Sequence, residues 1–279
     1  MTERLGIIGY GIVGGAVEYG FKDNHEIHIY DKYKPSNCLE DVVKNSDIIF
    51  VCLPTPMHNR KIDLSIMDEN IANISRLIGS TDKIIAIKST VVPGTTRAYS
   101  ERYKNSKFAF NPEFLTEANY LTDFVHADRT VVGADNNQIG LRVSALYTNR
   151  FPNMPIFRTD LTTAEVVKYM ANCFLATKVL FANEMFDLCQ ALGVKYEEVK
   201  KMVVADRRIY DSHLDVTSVR GMGGKCFPKD VVAMIGRAKD LGVDVSLLET
   251  VWRKNLQIRK VRDWEEIPGA TTDGKQYSE

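Results

Sequence analysis

The stretch RLGIIGYGIVG, residues 4–14, decides the fold of this chain. Residues 4–9 predict a short buried strand, and Gly9, Gly11 and Gly14 form a GxGxxG pattern that leads into a segment compatible with a helix. Each glycine has its own physical reason: Gly9 permits a tight turn, Gly11 lets the backbone approach a pyrophosphate, and Gly14 lets helix and strand pack closely. The stretch therefore predicts a dinucleotide site at the start of the first helix.

A second predicted strand, EIHIYD, ends at Asp31, which follows Gly9 by 22 positions. An acid at this point accepts a hydrogen bond from the adenosine ribose and repels a 2′-phosphate, so we expect NAD rather than NADP as the cofactor. Lys32 and Lys34 are close enough in sequence to keep NADP open as the alternative. The residues between the glycines complete the expected cofactor contacts of this loop: Tyr10, Ile12 and Val13.

Two further apolar segments predict that the sheet continues beyond the second strand. SDIIFVCLP (46–54) and DKIIAIKST (82–90) are apolar nearly throughout, which is typical of parallel strands covered on both faces. In an open α/β sheet, ligands bind at the carboxyl ends of the strands. Thr55, Ser89 and Thr90 lie at those ends, so we expect them near the cofactor, with ordinary turn and cap roles as the alternative.

The order of these elements predicts an α/β protein with a Rossmann-type, doubly wound parallel sheet. We expect the cofactor domain to span residues 1–155 and a helical catalytic and dimerisation region to follow, over residues 156–265. The last stretch, residues 266–279, is polar and contains glycine, so we expect a flexible tail there.

The composition argues against several classes of function. The 279 residues include 36 basic and 36 acidic side chains, so the formal net charge is zero and nothing favours binding to nucleic acid or to an anionic membrane. The sequence has neither an apolar run of about 18 residues nor a signal-peptide pattern. Its five cysteines have no CxxC spacing, which argues against a disulfide framework or a zinc site. We therefore expect a cytoplasmic protein without a metal site.

The segment NPEFLTEANYLTDF, which begins at Asn111, carries two candidate catalytic carboxylates. If the segment is helical, Glu113 and Glu117 lie one turn apart on one face. Paired carboxylates can act as general acid and general base, although a pair of glutamates on a helix is often solvated surface. Both interpretations stay open on the spacing alone.

The segment 161–192 has apolar residues at helical spacing and contains neither proline nor glycine, which predicts a long helix. Lys168 and Asn172 lie at i and i+4 on it, where an amine and an amide can hold a substrate oxygen or a developing oxyanion. A solvated polar stripe is the alternative. Because apolar residues cover much of the circumference of this predicted helix, we expect it to lie between layers or between subunits.

The stretch GMGGKCFPKD, residues 221–230, places Cys226 just before a predicted helix, because Pro228 suits the first turn and a helical pattern follows. Lys225 and Lys229 flank the cysteine. A helix N-terminus and nearby cations are the conditions that lower the pKa of a thiol and make it a nucleophile. The preceding glycines allow a close approach of backbone or ligand. An inert, buried cysteine is the alternative.

Six motifs occur together in one order: GYGIVG, KSTVVPGTT, NPEFLTE, AEVVKYMAN, DRRIYDSH and GMGGKCFPKD. With them, the chain resembles the UDP-glucose/GDP-mannose dehydrogenase family, to which UDP-glucose 6-dehydrogenase belongs, over roughly residues 4–260. The resemblance implies NAD-dependent oxidation of a primary alcohol on a nucleotide sugar, most readily UDP-glucose. The reaction would pass through an aldehyde and a thioester on Cys226 to the carboxylate.

The resemblance also implies the roles of single residues. Cys226 corresponds to the nucleophile, Asp230 and Thr90 to the pair that positions the hydrolytic water, and Glu113 to the general base. Lys168 and Asn172 correspond to the groups that hold the reacting oxygen. Glu117 and Lys229 are expected at the cofactor, and Glu117 also between cofactor and substrate. The expected substrate contacts are Glu113, Phe114, Leu115, Glu117, Lys168, Asn172, Arg208, Arg220, Gly221 and Gly223.

Several features depart from the family pattern. Relatives carry a third domain that helps to bind the uridine diphosphate, and we expect this chain to lack it. Thr116 stands where relatives often have arginine, and Arg220 interrupts the loop over the substrate, residues 217–223. Arg208 resembles an arginine that reaches into a neighbouring subunit, so we expect a homodimer or larger.

Two alternatives remain open from the sequence. One is a two-domain β-hydroxyacid-type dehydrogenase that uses Lys168 and Asn172, in which Cys226 is incidental. The other is a catalytically idle binding or partner subunit left after the third domain was lost. The presence of Cys226, Glu113 and Lys168 together argues against the idle subunit, because drift is not expected to spare all three.

Overall fold

The computed structural model describes residues 2–58, 61–267 and 270–271. These residues fall into two compact units. The first unit consists of Met1–Thr55 and Asp63–Lys168, and the second of Pro56–Ile62 and Tyr169–Glu279. No helix in the described part of the chain combines the length and the apolar character needed to cross a membrane.

Strands and helices alternate along most of the first unit, whereas helices predominate in the second. The strands are β1 (Leu5–Ile8), β2 (Ile27–Tyr30), β3 (Ile48–Val51), β4 (Met57–His58), β5 (Lys61–Ile62), β6 (Ile84–Ile87), β7 (Lys107–Phe110), β8 (Thr130–Ala134) and β9 (Ile156–Thr159). The helices are α1 (Ile12–Phe21), α2 (Leu39–Asn45), α3 (Ser65–Ile78), α4 (Thr95–Arg102), α5 (Tyr120–Val125), α6 (Asn137–Arg150), α7 (Leu161–Ala191), α8 (Tyr196–Val203), α9 (Phe227–Asp240) and α10 (Ser246–Ile258). A short 3₁₀ helix follows at Asp263–Glu265.

The first unit is built on a seven-stranded sheet with the order β2-β1-β3-β6-β7-β8-β9. Every neighbouring pair is parallel except β7 and β8, which are antiparallel. The predicted α/β class with a Rossmann-type sheet is therefore confirmed, and the antiparallel pair is the one difference. An antiparallel neighbour needs no helical crossover to return the chain, and only the short α5 lies between β7 and β8.

The strands are apolar nearly throughout because the sheet is buried on both faces. Along β3, Ile48 and Phe50 belong to one apolar cluster, which contains Val17 of α1. The alternate residues Ile49 and Val51 belong to a second cluster, on the other face, formed with helices such as α3. This alternation is the expected consequence of a parallel sheet that is covered by helices on both sides.

The first unit extends beyond residue 155, the boundary expected from the sequence. Strand β9 pairs in parallel with β8, with Thr130 opposite Ile156. The first turn of α7 also contributes to the core of this unit, because Leu161 and Ala164 are buried in its second cluster. The division into units therefore falls within α7, after Lys168.

The core of the second unit lies between helices. Residues of α7 such as Cys173 and Ala176 pack with Val231 and Ile235 of α9 and with Val251 of α10 in one apolar cluster. Strands β4 and β5 form a two-stranded ladder that belongs to this unit.

Most of the expected flexible tail, residues 266–279, lies outside the described residues. Within the part that is described, the backbone N–H of Met57 donates to Ala270 O at 2.9 Å. The hydroxyl of Thr271 donates to Met57 O at 3.0 Å. Residues 270–271 are thus tied to β4 by hydrogen bonds.

Candidate active site

The glycine loop at the start of α1 forms an open cradle. A Cβ on Gly9 would lie 2.6 Å from Cys52 O, and one on Gly14 would lie 2.1 Å from Gly9 O, so neither position tolerates a side chain. A Cβ on Gly11 would meet nothing within 4 Å. The N-cap residue of α1, Gly11, has no side chain that could cap the helix, so the first N–H groups, at Ile12 and Val13, are suited to an anion such as a pyrophosphate.

Asp31 lies directly after β2, beside this loop. Its Oδ2 accepts the N–H of Tyr10 at 2.8 Å, and its Oδ1 accepts the N–H of Tyr33 at 2.8 Å and of Lys34 at 3.1 Å. Burial raises the pKa of Asp31, but these N–H donors outweigh it and hold the pKa below its ordinary value. A charged carboxylate next to an open glycine cradle fits the adenosine ribose of a dinucleotide.

Three polar residues expected near the cofactor link the loops that follow β3 and β6. The hydroxyl of Ser89 donates to Leu53 O at 2.7 Å, and that of Thr55 donates to Thr90 O at 2.8 Å. Both hydroxyls thus bind carbonyl groups of the loops, which is the ordinary turn role that was the alternative to a cofactor contact. Contact with a cofactor stays a prediction for all three residues.

Lys168 and Glu113 form a buried ion pair in the first unit. Lys168 Nζ lies 3.0 Å from Glu113 Oε1 and 2.7 Å from Glu113 O, and the two side chains are 4% and 10% exposed. Burial raises the pKa of Glu113, but Lys168, the N–H of Leu115 and Lys88 outweigh it and hold the pKa below its ordinary value. Glu113 is therefore a carboxylate at neutral pH, held beside an amine.

Residues 111–124 do not form the single helix that would place the two glutamates one turn apart on one face. This segment has no helix before α5, which begins at Tyr120. Glu113 Oε2 accepts the N–H of Leu115 at 2.7 Å, a local bond that competes with helix formation. Glu113 consequently lies in a loop with most of its side chain buried, whereas Glu117 is exposed.

Phe114 and Leu115, two expected substrate contacts, line an open cleft of the first unit together with Glu113 and Arg129. The guanidinium of Arg129 lies 4.2 Å from the centroid of the Phe114 ring, and Lys168 Nζ lies 5.4 Å from it. The ring of Phe114 is thus flanked by two cationic side chains, and the cleft that it lines also carries the carboxylate of Glu113.

In the second unit, Cys226 occupies the N-cap position of α9, as the sequence predicts. Its thiol is half-buried, and Pro228 lies in the first turn of the helix. The N–H of Asp230 donates to Cys226 O at 2.9 Å, so the cysteine and the aspartate stand one helical turn apart. A thiol at a helix N-terminus is exposed to the positive end of the helix dipole.

The carboxylate of Asp230 is buried and held by two of the other expected site residues. Asn172 Nδ2 donates to its Oδ2 at 2.6 Å, and Lys229 Nζ donates to its Oδ1 at 2.6 Å. Asp230 and Lys229 have side chains that are 1% and 7% exposed. The Lys229 amine is thus engaged with a carboxylate in this structure, and its expected cofactor contact stays a prediction.

The expected substrate loop is held by residues of its own unit. Arg220, which has a positive φ of 57°, donates from Nε to Asn183 Oδ1 at 2.6 Å and from Nη2 to Asp187 Oδ1 at 2.7 Å. Arg208 is exposed by 89% and lies 2.6 Å from Asp206. Both arginines have carboxylate partners, so their substrate contacts stay predictions, as do those of Gly221 and Gly223.

Sequence reasoning missed a buried lysine beneath the loop of Glu113. Lys88 Nζ donates to Asn111 Oδ1 at 2.9 Å, to Asn111 O at 3.1 Å and to the Tyr147 hydroxyl at 3.3 Å. Asn111 in turn donates to Val131 O at 2.8 Å. Burial lowers the pKa of Lys88 to about 8. The signal in the sequence was a single lysine that continues an otherwise apolar strand.

Glu165 is a second residue that sequence reasoning missed. It is fully buried, and its carboxylate accepts the N–H groups of Gly94 at 2.6 Å and Thr96 at 2.8 Å. This carboxylate therefore caps α4 and fixes the loop that follows Thr90. The helix spacing of AEVVKYMAN gave no indication of this role, because the capped helix lies about 70 residues earlier in the chain.

Comparison with known proteins links these features to one family. Residues 17–151 match the NAD binding domain of the UDP-glucose/GDP-mannose dehydrogenase family, and residues 162–257 match its central domain. Among curated proteins, UDP-glucose 6-dehydrogenase of Rickettsia bellii is 36% identical over 232 residues, which is 81% of this chain and 53% of that protein. UDP-glucose 6-dehydrogenase TuaD of Bacillus subtilis is 31% identical over 247 residues, 85% of this chain and 52% of that protein.

A solved structure gives the same result. The UDP-glucose dehydrogenase from the archaeon Pyrobaculum islandicum is 29% identical with a TM-score of 0.83, and the match covers 91% of this chain and 68% of that one. This chain spans about half the length of the curated relatives that it matches. The matches to the two domains together cover most of the chain. The open glycine cradle with Asp31 fits NAD, the cofactor that the first of these domains binds by its description. The chain belongs to the UDP-glucose/GDP-mannose dehydrogenase family.

Proposed function

We propose that the chain oxidises the primary alcohol of a nucleotide sugar, UDP-glucose, to the carboxylate. The overall reaction consumes UDP-glucose, two NAD and one water, and yields UDP-glucuronate and two NADH. The observation that carries the proposal is Cys226 at the N-cap of α9, one turn before a buried Asp230 that is bonded to Asn172. The names of the matched relatives support the substrate.

Cys226 explains how one site can carry out two oxidations. Its thiolate adds to the carbonyl carbon of the aldehyde, and the resulting tetrahedral alkoxide takes up a proton to give a thiohemiacetal. Loss of hydride from that carbon and of the hydroxyl proton leaves a thioester, which water hydrolyses with the thiolate as leaving group. NAD, when bound at the glycine cradle, supplies the hydride acceptor for both oxidations.

The first unit contributes Lys168 and Glu113. The amine of Lys168 can donate to the substrate oxygen on which negative charge develops, and such a donor typically contributes a factor of about 10²–10³ in rate. Glu113, kept as a carboxylate by its surroundings, can accept a proton from the alcohol or from the attacking water. Glu113 thus has the charge that a general base requires.

The second unit contributes Asn172 and Asp230. The amide of Asn172 can share a substrate oxygen with Lys168, which lies one turn earlier on α7. Asp230 accepts from Asn172 and Lys229, so its carboxylate is fixed in place, and its backbone lies one helical turn after Cys226. A fixed carboxylate can orient the water that hydrolyses the thioester, and we assign Thr90 to the same task.

The partner we propose is a second copy of this chain. Four large apolar side chains of α7 are exposed: Met170 by 71%, Phe174 by 63%, Phe181 by 58% and Leu188 by 51%. At about 100° per residue they fall within roughly 40° of one another on the helix. One straight apolar stripe of this kind is suited to an isologous two-fold contact, in which Arg208 would complete the neighbour's site.

The compartment we propose is the cytoplasm, because a nucleophilic thiol needs reducing surroundings to persist. The deciding experiment counts reduced cofactors per substrate. The purified protein is incubated with NAD and limiting UDP-glucose, and absorbance of NADH is followed to completion. Two NADH and one acid per sugar support the proposal. One NADH, with a product that stops at a ketone or an aldehyde, contradicts it.

A further inference from the structure

Arg259, the residue that follows α10, lies across the loop that leads to Cys226. We call residues 220–225 the thiol loop. Arg259 Nη1 donates to Arg220 O at 2.9 Å and to Gly221 O at 3.4 Å. The side chain is 8% exposed. A buried guanidinium thus satisfies two carbonyls at the point where the thiol loop turns with positive φ.

The guanidinium packs directly on the backbone of Gly223. A Cβ at this position would lie 2.0 Å from Arg259 Nη2 and 2.2 Å from Cζ. No neighbour can adjust to such a distance without moving the guanidinium itself. The requirement for glycine at residue 223 therefore comes from the close approach of Arg259.

Asp263 connects the same guanidinium to the next peptide of the thiol loop. Its Oδ1 accepts from Arg259 Nη2 at 3.0 Å and from Nε at 3.3 Å. Its Oδ2 accepts the N–H of Gly224 at 3.0 Å. Two N–H groups of the guanidinium thus share one carboxylate oxygen, Oδ1, while the other oxygen holds the backbone of Gly224.

The thiol loop has a separate anchor that does not depend on this pair. Asn255, which is fully buried, accepts the N–H of Met222 at 2.8 Å and donates to Met222 O at 3.1 Å. Asn255 therefore fixes the middle of the loop, while Arg259 and Asp263 fix its two sides. Loss of the pair should loosen Gly223, Gly224 and the thiol without unfolding the unit.

We propose that Arg259 and Asp263 are positioning residues that hold the thiol loop so that Cys226 sits at the N-cap of α9. Both residues act through the backbone of Gly223 and Gly224. The inference deepens the proposed function and rests on it for its catalytic meaning. Held at the N-cap, the thiolate receives the positive end of the helix dipole, and a loosened loop gives up that stabilisation.

The test measures the alkylation rate of Cys226 between pH 5 and pH 9 with iodoacetamide, resolved by mass spectrometry of the Cys226 peptide. Arg259→Ala and Asp263→Asn are each expected to lower the rate at pH 7 by about tenfold and to move the pH midpoint up by about one unit. Millimolar guanidinium should restore part of the rate in Arg259→Ala alone. Arg253→Ala is the matched control, because Arg253 is an exposed arginine of α10, the helix that Arg259 follows.

A third variant guards against a failure to fold. Gly223→Ala leaves both charged residues in place but displaces the guanidinium, so it should lower the alkylation rate in the same direction. Unchanged pH profiles in Asp263→Asn and Gly223→Ala, with thermal unfolding as in the unmodified protein, overturn the inference. A shifted profile in those variants supports it.

These measurements distinguish a failure of the positioning role from a failure of the proposed function. If the unmodified protein makes two NADH per sugar while the variants alkylate and turn over normally, the positioning role is wrong and the function stands. If the variants alkylate slowly but the unmodified protein makes no NADH, the positioning role stands and the function is wrong. For active variants, a fall in kcat with little change in KM is the expected pattern.

Discussion

The amide nitrogen Nδ2 of Asn172 lies 2.6 Å from Oδ2 of Asp230, and both side chains are buried. An amide can donate to a carboxylate without adding charge, so this pairing satisfies Asp230 in a place where water cannot. Lys229 provides the compensating positive charge on the other oxygen. The hydrogen bond between Asn172 and Asp230 therefore joins α7 to the first turn of α9.

Replacing Asn172 by aspartate should destabilise the second unit in a pH-dependent way. Asn172→Asp places a second carboxylate against Asp230, so one of the two acquires a raised pKa in the folded state. Below the ordinary pKa the shared proton removes the conflict, whereas at higher pH the folded state must bury both charges. We expect a loss of about 3 kcal/mol in unfolding free energy at pH 8, and much less at pH 4.

Urea unfolding at the two pH values measures this difference. Asn149→Asp is the matched control, because Asn149 is an exposed residue of α6 and should show little change at either pH. A loss that is equal at pH 4 and pH 8 would contradict a charge conflict and indicate a purely steric cause.

The pairing of Asn172 with Asp230 also shows where sequence reasoning stops. Helical spacing placed Lys168 and Asn172 one turn apart, and the proline placed Cys226 at the start of a helix; both are observed. Spacing along one helix carries no information on its partners, because Asp230 lies 58 residues from Asn172. The packing of α7 against α9, through residues such as Cys173 and Val231, decides that contact.

A local hydrogen bond explains why the segment with the two glutamates is not helical. A helix was one of the two alternatives that the spacing of Glu113 and Glu117 left open, but the bond from the Leu115 N–H to Glu113 favours a loop. The buried Lys88 was missed for a different reason. A charged residue in an apolar strand is interpretable only when its partners, which are distant in sequence, are known.

Asp31 should set the choice between NAD and NADP. Its carboxylate is charged and lies at the open cradle, where a 2′-phosphate would meet like charge. We expect NAD to bind at least about tenfold more tightly than NADP, and Asp31→Ala to relax that preference. Titration of intrinsic fluorescence with each cofactor gives the ratio. Glu69→Ala, an exposed acid of α3, should leave the ratio unchanged, and equal affinities in the unmodified protein would refute the assignment.

Lys88 should make stability rise between pH 8 and pH 10.5. Its pKa is lowered to about 8 in the folded protein from its ordinary value of 10.5, so the unfolded chain binds more protons in this window. Protonated Lys88 therefore costs stability below pH 8, by roughly 3 kcal/mol, and the cost is relieved as the pH rises. Nearby Cys52 acts in the opposite direction, because burial raises its pKa to about 12 and only the unfolded chain loses this proton from about pH 9. The contribution of Lys88 is therefore the difference between the profile of the unmodified protein and that of a variant without the amine.

Lys88→Met should flatten this part of the stability profile, even if the variant is less stable throughout because Asn111 and Tyr147 lose their donor. Denaturant unfolding at intervals of half a pH unit measures the slope. Lys104→Met, at an exposed lysine, is the control and should keep the slope of the unmodified protein. A Lys88→Met profile parallel to that of the unmodified protein would show that the amine is not the titrating group.

The apolar stripe of α7 should hold two copies together. Phe181→Glu puts a charge in the stripe and should convert the dimer to a monomer of 31.5 kDa, which light scattering at micromolar concentration resolves. Phe157→Glu is a close control, because Phe157 on β9 is 57% exposed and Phe181 is 58% exposed. Dissociation by both variants, or a monomeric unmodified protein, would remove α7 as the interface.

Substitutions of Cys226 should separate cofactor binding from acid formation. Cys226→Ala should bind NAD normally, because the glycine cradle belongs to the other unit, but it should form no acid. Cys226→Ser should instead accumulate an ester that hydrolyses slowly, since an alkoxide is a poorer leaving group than a thiolate. Cys38→Ala, at an exposed cysteine after β2, is the control and should retain two NADH per sugar. Intact-protein mass spectrometry of the serine variant after a single turnover should detect the added sugar nucleotide. Full acid yield from Cys226→Ala would make the cysteine structural and would leave the second oxidation without a covalent step.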